Sequence, residues 1–225
     1  MPGKTTHGIA SRLGVVALCV AFGIHNNPVS AHPHVFVDGG VDFVFGTDGK
    51  LVALNVAWHY DAFETLYILA SHDLTLNTDG GLDEADRLAL VKYRSEWPED
   101  FDGSAHLSVD QVPVALEWPA GLDAHIIDGR LRITFRRELS SPLSLSGVQA
   151  ELAFYESTYF FAFSITEPPK LLGTSGDCKA EVVTFDPSAE NAELRSTLSK
   201  LGREETPAIA NVGSLFADRI SLSCR

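Results

Sequence analysis

The sequence predicts a β-rich α+β fold: a single domain of antiparallel sheets with a two-helix insertion near residues 61–97 and a C-terminal helix. Three observations predict it. Apolar and polar residues alternate through segments such as Val52–Tyr60 and Leu131–Phe135, and the period becomes helical after Asp61. A chain of 225 residues that is 45% hydrophobic can also bury one sizeable core.

The chain opens with a short basic start (Lys4, Arg12), an apolar run from Leu13 to Ile24 and a small-residue ending, Val29-Ser30-Ala31. This is the build of a secretory signal peptide over residues 1–31, and the apolar run falls short of the roughly twenty residues that span a bilayer. Cleavage is expected between Ala31 and His32, which leaves residues 32–225 as one soluble periplasmic domain beginning with histidine. Loss of Lys4 and Arg12 takes the formal net charge of −13 two units further negative. Such a chain is a poor partner for nucleic acid, whose phosphates reward lysine and arginine, and no stable membrane insertion is expected of the mature part. Cys19 leaves with the signal peptide, so Cys178 and Cys224 remain as an even pair in an oxidising compartment and are expected to form a disulfide.

The first hairpin is predicted from "VDFVF" and "LVALNVAWHY" around "GTDGK", with Val52, Leu54, Val56, Trp58 and Tyr60 alternating against Ala53, Asn55, Ala57 and His59. From Asp61 to about Leu74, Phe63, Leu66, Tyr67 and Ala70 recur at helical spacing, with Asp61 placed as the cap. A second helix is expected from Asp83 to Trp97, stopped by Pro98. Further strands are read in "HLSVD" and "VALEW" around a short turn, and in "AHII" and "LRITFRREL" around Asp128-Gly129. "VQAELAFY", "YFFAFSI" and "EVVTF" follow, then a helix from about Ser188 to Leu201 and a last strand, "DRISLSC".

Candidate chemistry starts at "HPHVFVD". The α-amine and imidazole of an N-terminal His32 can chelate one metal together, and His34 projects to the same side of an extended chain. Pro33 lacks the N–H that an amide-coordinated copper site needs at the second position, while nitrogen ligands joined by carboxylates suit zinc. His59 and Asp61 stand at a strand end and helix start, where side chains commonly project into sites. Glu156, in "YESTYFFAF", is placed either to ligate or to bind local backbone amides. Between the helices, Thr75 to Asp86 follows a calcium-loop frame with Asn77, Asp79, Asp83 and Asp86 at ligand positions. Thr75 stands where a first acid is wanted and Asp86 where a longer glutamate is, so a connecting turn is the better reading and calcium is not expected. With no nucleophile elbow, phosphate loop or zinc-protease helix, no catalytic residue is assigned and enzymatic activity is not expected.

Taken in order, "HPHVFVD", "AWHYDAF", "YESTYFFAF" and "LFADRISLSC" resemble an exported bacterial family catalogued as domain of unknown function 1007. The family is often labelled as a periplasmic component of an uncharacterised ABC-type transport system. The resemblance covers nearly all of the mature chain. It implies a periplasmic accessory protein beside a polytopic inner-membrane metal permease, linked with transition-metal supply, zinc first and nickel, cobalt or copper after it. The family's opening histidines map onto His32 and His34, its tryptophan and aspartate onto Trp58 and Asp61, and its late tyrosine-acid segment onto Tyr155 and Glu156. The family usually carries aspartate where this chain has Glu156. The competing expectation is a metal-independent β-rich interaction domain that docks on the permease.

Overall fold

The computed structural model describes residues 3, 33–97, 101, 103–186, 192–201, 205 and 207–225. The predicted signal peptide apart from Gly3, the cleavage site, His32, Pro98 and residues 188–191 of the predicted C-terminal helix lie outside the described residues.

The first hairpin forms as expected. Strands β1 (Val35–Phe45) and β2 (Leu51–Tyr60) pair antiparallel from Val37 opposite Tyr60 to Phe45 opposite Leu51. The turn is closed by Gly46 N–H on Lys50 O, and Asp48 accepts from Lys50 N–H. β5 (Ala120–Ile127) and β6 (Arg130–Leu143) make the second hairpin, and β6 lies along β2. The remaining strands are β3 (Ala105–Val109), β4 (Val112–Pro113), β7 (Gln149–Phe154), β8 (Phe161–Ile165), β9 (Leu171–Gly173), β10 (Cys178–Val183) and β11 (Arg219–Cys224).

They form two sheets: one in the order β5-β6-β2-β1-β8 with β9 also on β1, the other β10-β11-β7-β3-β4. Their inner faces share one core, in which Leu54, Val56 and Ile133 of the first sheet join Leu107, Leu152 and Ile220 of the second. The fold is thus the expected β-rich α+β class, with two differences in pairing. β8 and β9 run parallel to β1, because the chain crosses from the second sheet to the first after β7 and enters beside the start of β1. A period-two pattern marks a strand but not its neighbour. The segment "VALEW" does not complete a hairpin with β3. β4 stops at Pro113, which has no N–H for the ladder, and Leu116 instead bridges to Leu139 of β6.

Helices α1 (Ala62–Ser71) and α2 (Glu84–Arg94) form the insertion, and α3 (Ala192–Leu198) is the described part of the C-terminal helix. Acids in the first turn of α2 (Glu84, Asp86) and bases in its last (Lys92, Arg94) suit the helix dipole. The α1 stripe of Phe63, Leu66 and Tyr67 is 78%, 64% and 56% exposed. Thr65, Ile68 and Leu69 are the buried residues instead. The reason is a specific bond: Thr65 Oγ1 donates to Asp61 O and accepts from Leu131 N–H of β6, which turns that face of α1 to the sheet.

Cys178 and Cys224 stand directly opposite on β10 and β11 and are disulfide-bonded. On the chain-entropy view, closing a loop of 46 residues stabilises by about 3 to 4 kcal/mol. Urea unfolding of the Cys178→Ser/Cys224→Ser protein is expected to give a loss of that size, matched in the parent by adding reductant.

Tyr60 is buried, and burial raises its phenol above the ordinary value of 10.0, with the neighbouring Arg94 opposing the rise. Above that pH the unfolded chain releases this proton while the fold retains it. The unfolded state then binds fewer protons, so stability falls as pH rises through the alkaline range and is unaffected by this group below it. Tyr60→Phe is expected to flatten that alkaline limb, as read by urea midpoints at about pH 8 and about pH 11.

Candidate functional site

The entrance of β1 brings two of the candidate donors, His34 and Asp61, to neighbouring positions. His34 N–H and Val35 N–H both donate to Phe160 O, at 2.9 and 3.2 Å, and the His34 ring lies 4.8 Å from the Phe160 ring. One residue further, Phe36 O accepts from Asp61 N–H while Phe36 N–H donates to Asp61 Oδ2, each at 2.9 Å. Asp61 Oδ1 accepts from Glu64 N–H at 2.8 Å and so caps α1. The carboxylate therefore ties strand to helix in the role expected of a cap.

Glu156 sits in the turn that carries the chain from β7 to β8. Its Oε1 accepts from Thr158 N–H at 2.8 Å and Ser157 Oγ at 3.2 Å, and its Oε2 accepts from Thr158 Oγ1 at 2.7 Å and Phe160 N–H at 2.9 Å. Tyr159 takes a left-handed φ of 63° within this turn. Gly213 backs it so closely that a Cβ there would stand 1.9 Å from Glu156 O. A carboxylate offers about four lone-pair directions. Those of Glu156 are taken up by the turn, whereas each oxygen of Asp61 keeps capacity for a further partner.

His59 belongs to a different neighbourhood. It lies in a cross-strand row between Asp38 of β1 and Arg132 of β6. Its Nε2 is 3.0 Å from Glu167 Oε1 and 2.9 Å from Arg132 Nε, and a single ring nitrogen serves one of these at a time. Arg130 closes the row by donating to Asp38 Oδ2, His59 O and Tyr60 O. His34 precedes Asp38 by four positions, about 13 Å at roughly 3.3 Å per strand residue. His59 thus stands two positions from Asp61, opposite Asp38, with its ring nitrogen engaged by Glu167 and Arg132. Glu167 escaped the sequence reading because its partner is 108 positions away and no local spacing announces the pair.

The connection between α1 and α2 is a turn closed by Asn77. Its Oδ1 accepts from Asp79 N–H and Gly81 N–H, and its Nδ2 donates to Asp83 Oδ1. Asp83 occupies the position before α2 and Asp86 its first turn. Among the described residues no three His, Cys, Asp or Glu side chains form a group that could hold a metal ion. His32, the first of the expected nitrogen ligands, lies outside those residues.

Two sheets over one core, a capped helical insertion and a cross-strand disulfide define a β-rich α+β protein. Among the described residues no helix is long and apolar enough to cross a membrane. The family described as "Protein of unknown function (DUF1007)" matches residues 16–224, and the chain belongs to it. No curated protein matches the chain.

Asp61 joins two elements, so Asp61→Ala is expected to lower stability by about 1 to 2 kcal/mol, and Asp61→Asn by less because its amide oxygen still accepts one bond. Urea unfolding gives the magnitude. Faster amide exchange at both Phe36 and Glu64 identifies the lost bonds.

Proposed function

We propose that the protein is a periplasmic accessory of a transition-metal transport system that binds zinc, with nickel, cobalt and copper as the secondary choices, and passes it to or from a polytopic inner-membrane permease. The observation that supports this reading is that Asp61 is bonded to Phe36, two positions after His34 at the start of β1. Cleavage after Ala31 would add the amine and imidazole of His32 to that entrance. Nitrogen ligands with one carboxylate form a donor set that zinc accepts. Glu156 would shape the wall through its turn rather than ligate, and His59 would act apart from this set.

A second reading is favoured by the exposed stripe of Phe63, Leu66 and Tyr67 on α1. Three large apolar side chains on one helix face suit a protein contact, in keeping with a metal-independent domain that docks on the permease.

Calorimetry on the processed protein separates the two. The metal reading expects one zinc per chain, weakened at least about tenfold by His32→Ala or His34→Ala. Absence of zinc, nickel or copper binding tighter than about 1 mM would end it. The docking reading expects crosslinked capture of the permease that survives both histidine substitutions and disappears in Phe63→Ser/Leu66→Ser.

A further inference from the structure

An open sheet edge presents backbone donors and acceptors that another strand can take up. Most edges of this fold are closed. β4 ends at Pro113, which has no N–H to offer. β5 lies beside α2, joined to it by the Arg87–Asp123 ion pair. Ile165 N–H of β8 donates to Asp218 Oδ2. β10 differs: β11 pairs with one side of it, and among the described residues no strand pairs with the other.

The phase of the β10–β11 ladder fixes which groups that open side presents. Antiparallel strands alternate between residue pairs that exchange hydrogen bonds and closer pairs that do not. Cys178 and Cys224 stand opposite with Cα atoms 3.9 Å apart, the close kind, and Cys178 N–H donates to Ser175 O instead of across to β11. By alternation Ala180 and Val182 belong to the same set, so the N–H and C=O of both point away from β11. Neither makes another backbone hydrogen bond among the described residues. The ladder and the disulfide already hold this edge extended, which lowers the ordering cost of adding a strand to it.

The side chains of β10 say what such a strand is. Lys179 and Glu181 flank Ala180, and both are exposed. If β10 pairs antiparallel with a second β10 so that Ala180 faces Ala180, each Lys179 faces the Glu181 of the other copy. Shifting the register by one hydrogen-bonded step sets Lys179 against Lys179 or Glu181 against Glu181, and wider shifts lose most of the overlap of Cys178–Val183. Opposite charges across a sheet stabilise a pairing and like charges destabilise it, so the strand is self-complementary in one register. We propose that β10 pairs with β10 of a second copy of this chain about a two-fold axis at Ala180, joining two five-stranded sheets into one. Ala180 N–H of each copy donates to Ala180 O of the other, and Val182 N–H of each donates to Cys178 O of the other. Ladder bonds and exposed ion pairs over so short a strand make a small interface, of the weak and transient class.

Sedimentation of the whole processed protein from about 10 μM to about 1 mM is expected to show a reversible monomer–dimer equilibrium. Ala180→Pro removes an N–H that only the second copy uses, at an edge position where proline is tolerated, and is expected to abolish the dimer with little change in thermal midpoint. Lys179→Glu or Glu181→Lys alone is expected to weaken the dimer at least about tenfold, because two facing pairs become like-charged. Lys179→Glu and Glu181→Lys together are expected to restore it, a result that mere loosening of the fold would not give. Phe63→Ser/Leu66→Ser is expected to leave the dimer intact, which separates this edge from the apolar face of α1. The proposal is overturned if the chain is monomeric at about 1 mM, or if Ala180→Pro dimerises like the parent. It is also overturned if exchanging the two charges fails to restore the dimer, or if the α1 substitutions abolish it.

Discussion

The carboxylate of Asp61 is the joint on which the helical insertion hangs. One oxygen accepts from the backbone of β1, the other caps α1, and the residue's own carbonyl receives the hydroxyl of Thr65. Thr65 then accepts from Leu131 of β6. A strand end, a helix start and a second strand are thereby held through Asp61 and Thr65, one helical turn apart. Because helix ends leave backbone donors that must find partners, such a cap fixes the direction of the helix as well as its stability. The apolar stripe of α1 faces away from the core as a consequence of that direction.

The turn at Glu156 does comparable work on the opposite side of β1. It carries the chain from one sheet to the other, where ladder bonds cannot follow, and the side-chain carboxylate replaces them with four short-range acceptor contacts. Phe160, whose N–H is bound by Glu156, offers its carbonyl to His34 and Val35. Two acidic residues from distant parts of the sequence therefore hold the same strand entrance, one from the helix side and one from the crossing side. They shape the approach to His34 even where only one of them has donor capacity to spare.

Much of this was legible in the sequence because it is encoded locally. Alternation gave β2 and β6, the Asp-Gly turn gave the first hairpin, the acid before "AFETL" gave the cap, and an even pair of cysteines gave the disulfide. The orientation of α1 was not legible, because "AFETLYILAS" contains two stripes at helical spacing and the choice between them rests on a bond to Leu131, 66 positions from Thr65. The link between His59 and Glu167 was hidden for the same reason. The saturation of Glu156 depends on the amides of Thr158 and Phe160 turning inward around a left-handed Tyr159, a conformation that composition does not disclose. The positions of Asp61 at the strand entrance and of His59 opposite Asp38 follow from hairpin register and could be anticipated; the engagement of His59 by Glu167 and Arg132 required the sheet itself.

The parallel pairing of β1 also governs the order in which the chain can assemble. Val35 pairs with Phe161 and Phe45 with Gly173, so the earliest strand acquires its neighbour on that side only from the later part of the sequence. A chain delivered from its N-terminus would present β2 and β6 first and leave the other edge of β1 unpaired until β8 and β9 arrived. Pairings of such long sequence separation slow folding, and an open strand edge is a template for association with other chains. The residues that close the sheet thus set a kinetic demand on folding: the open edge of β1 must be shielded until β8 and β9 have paired with it.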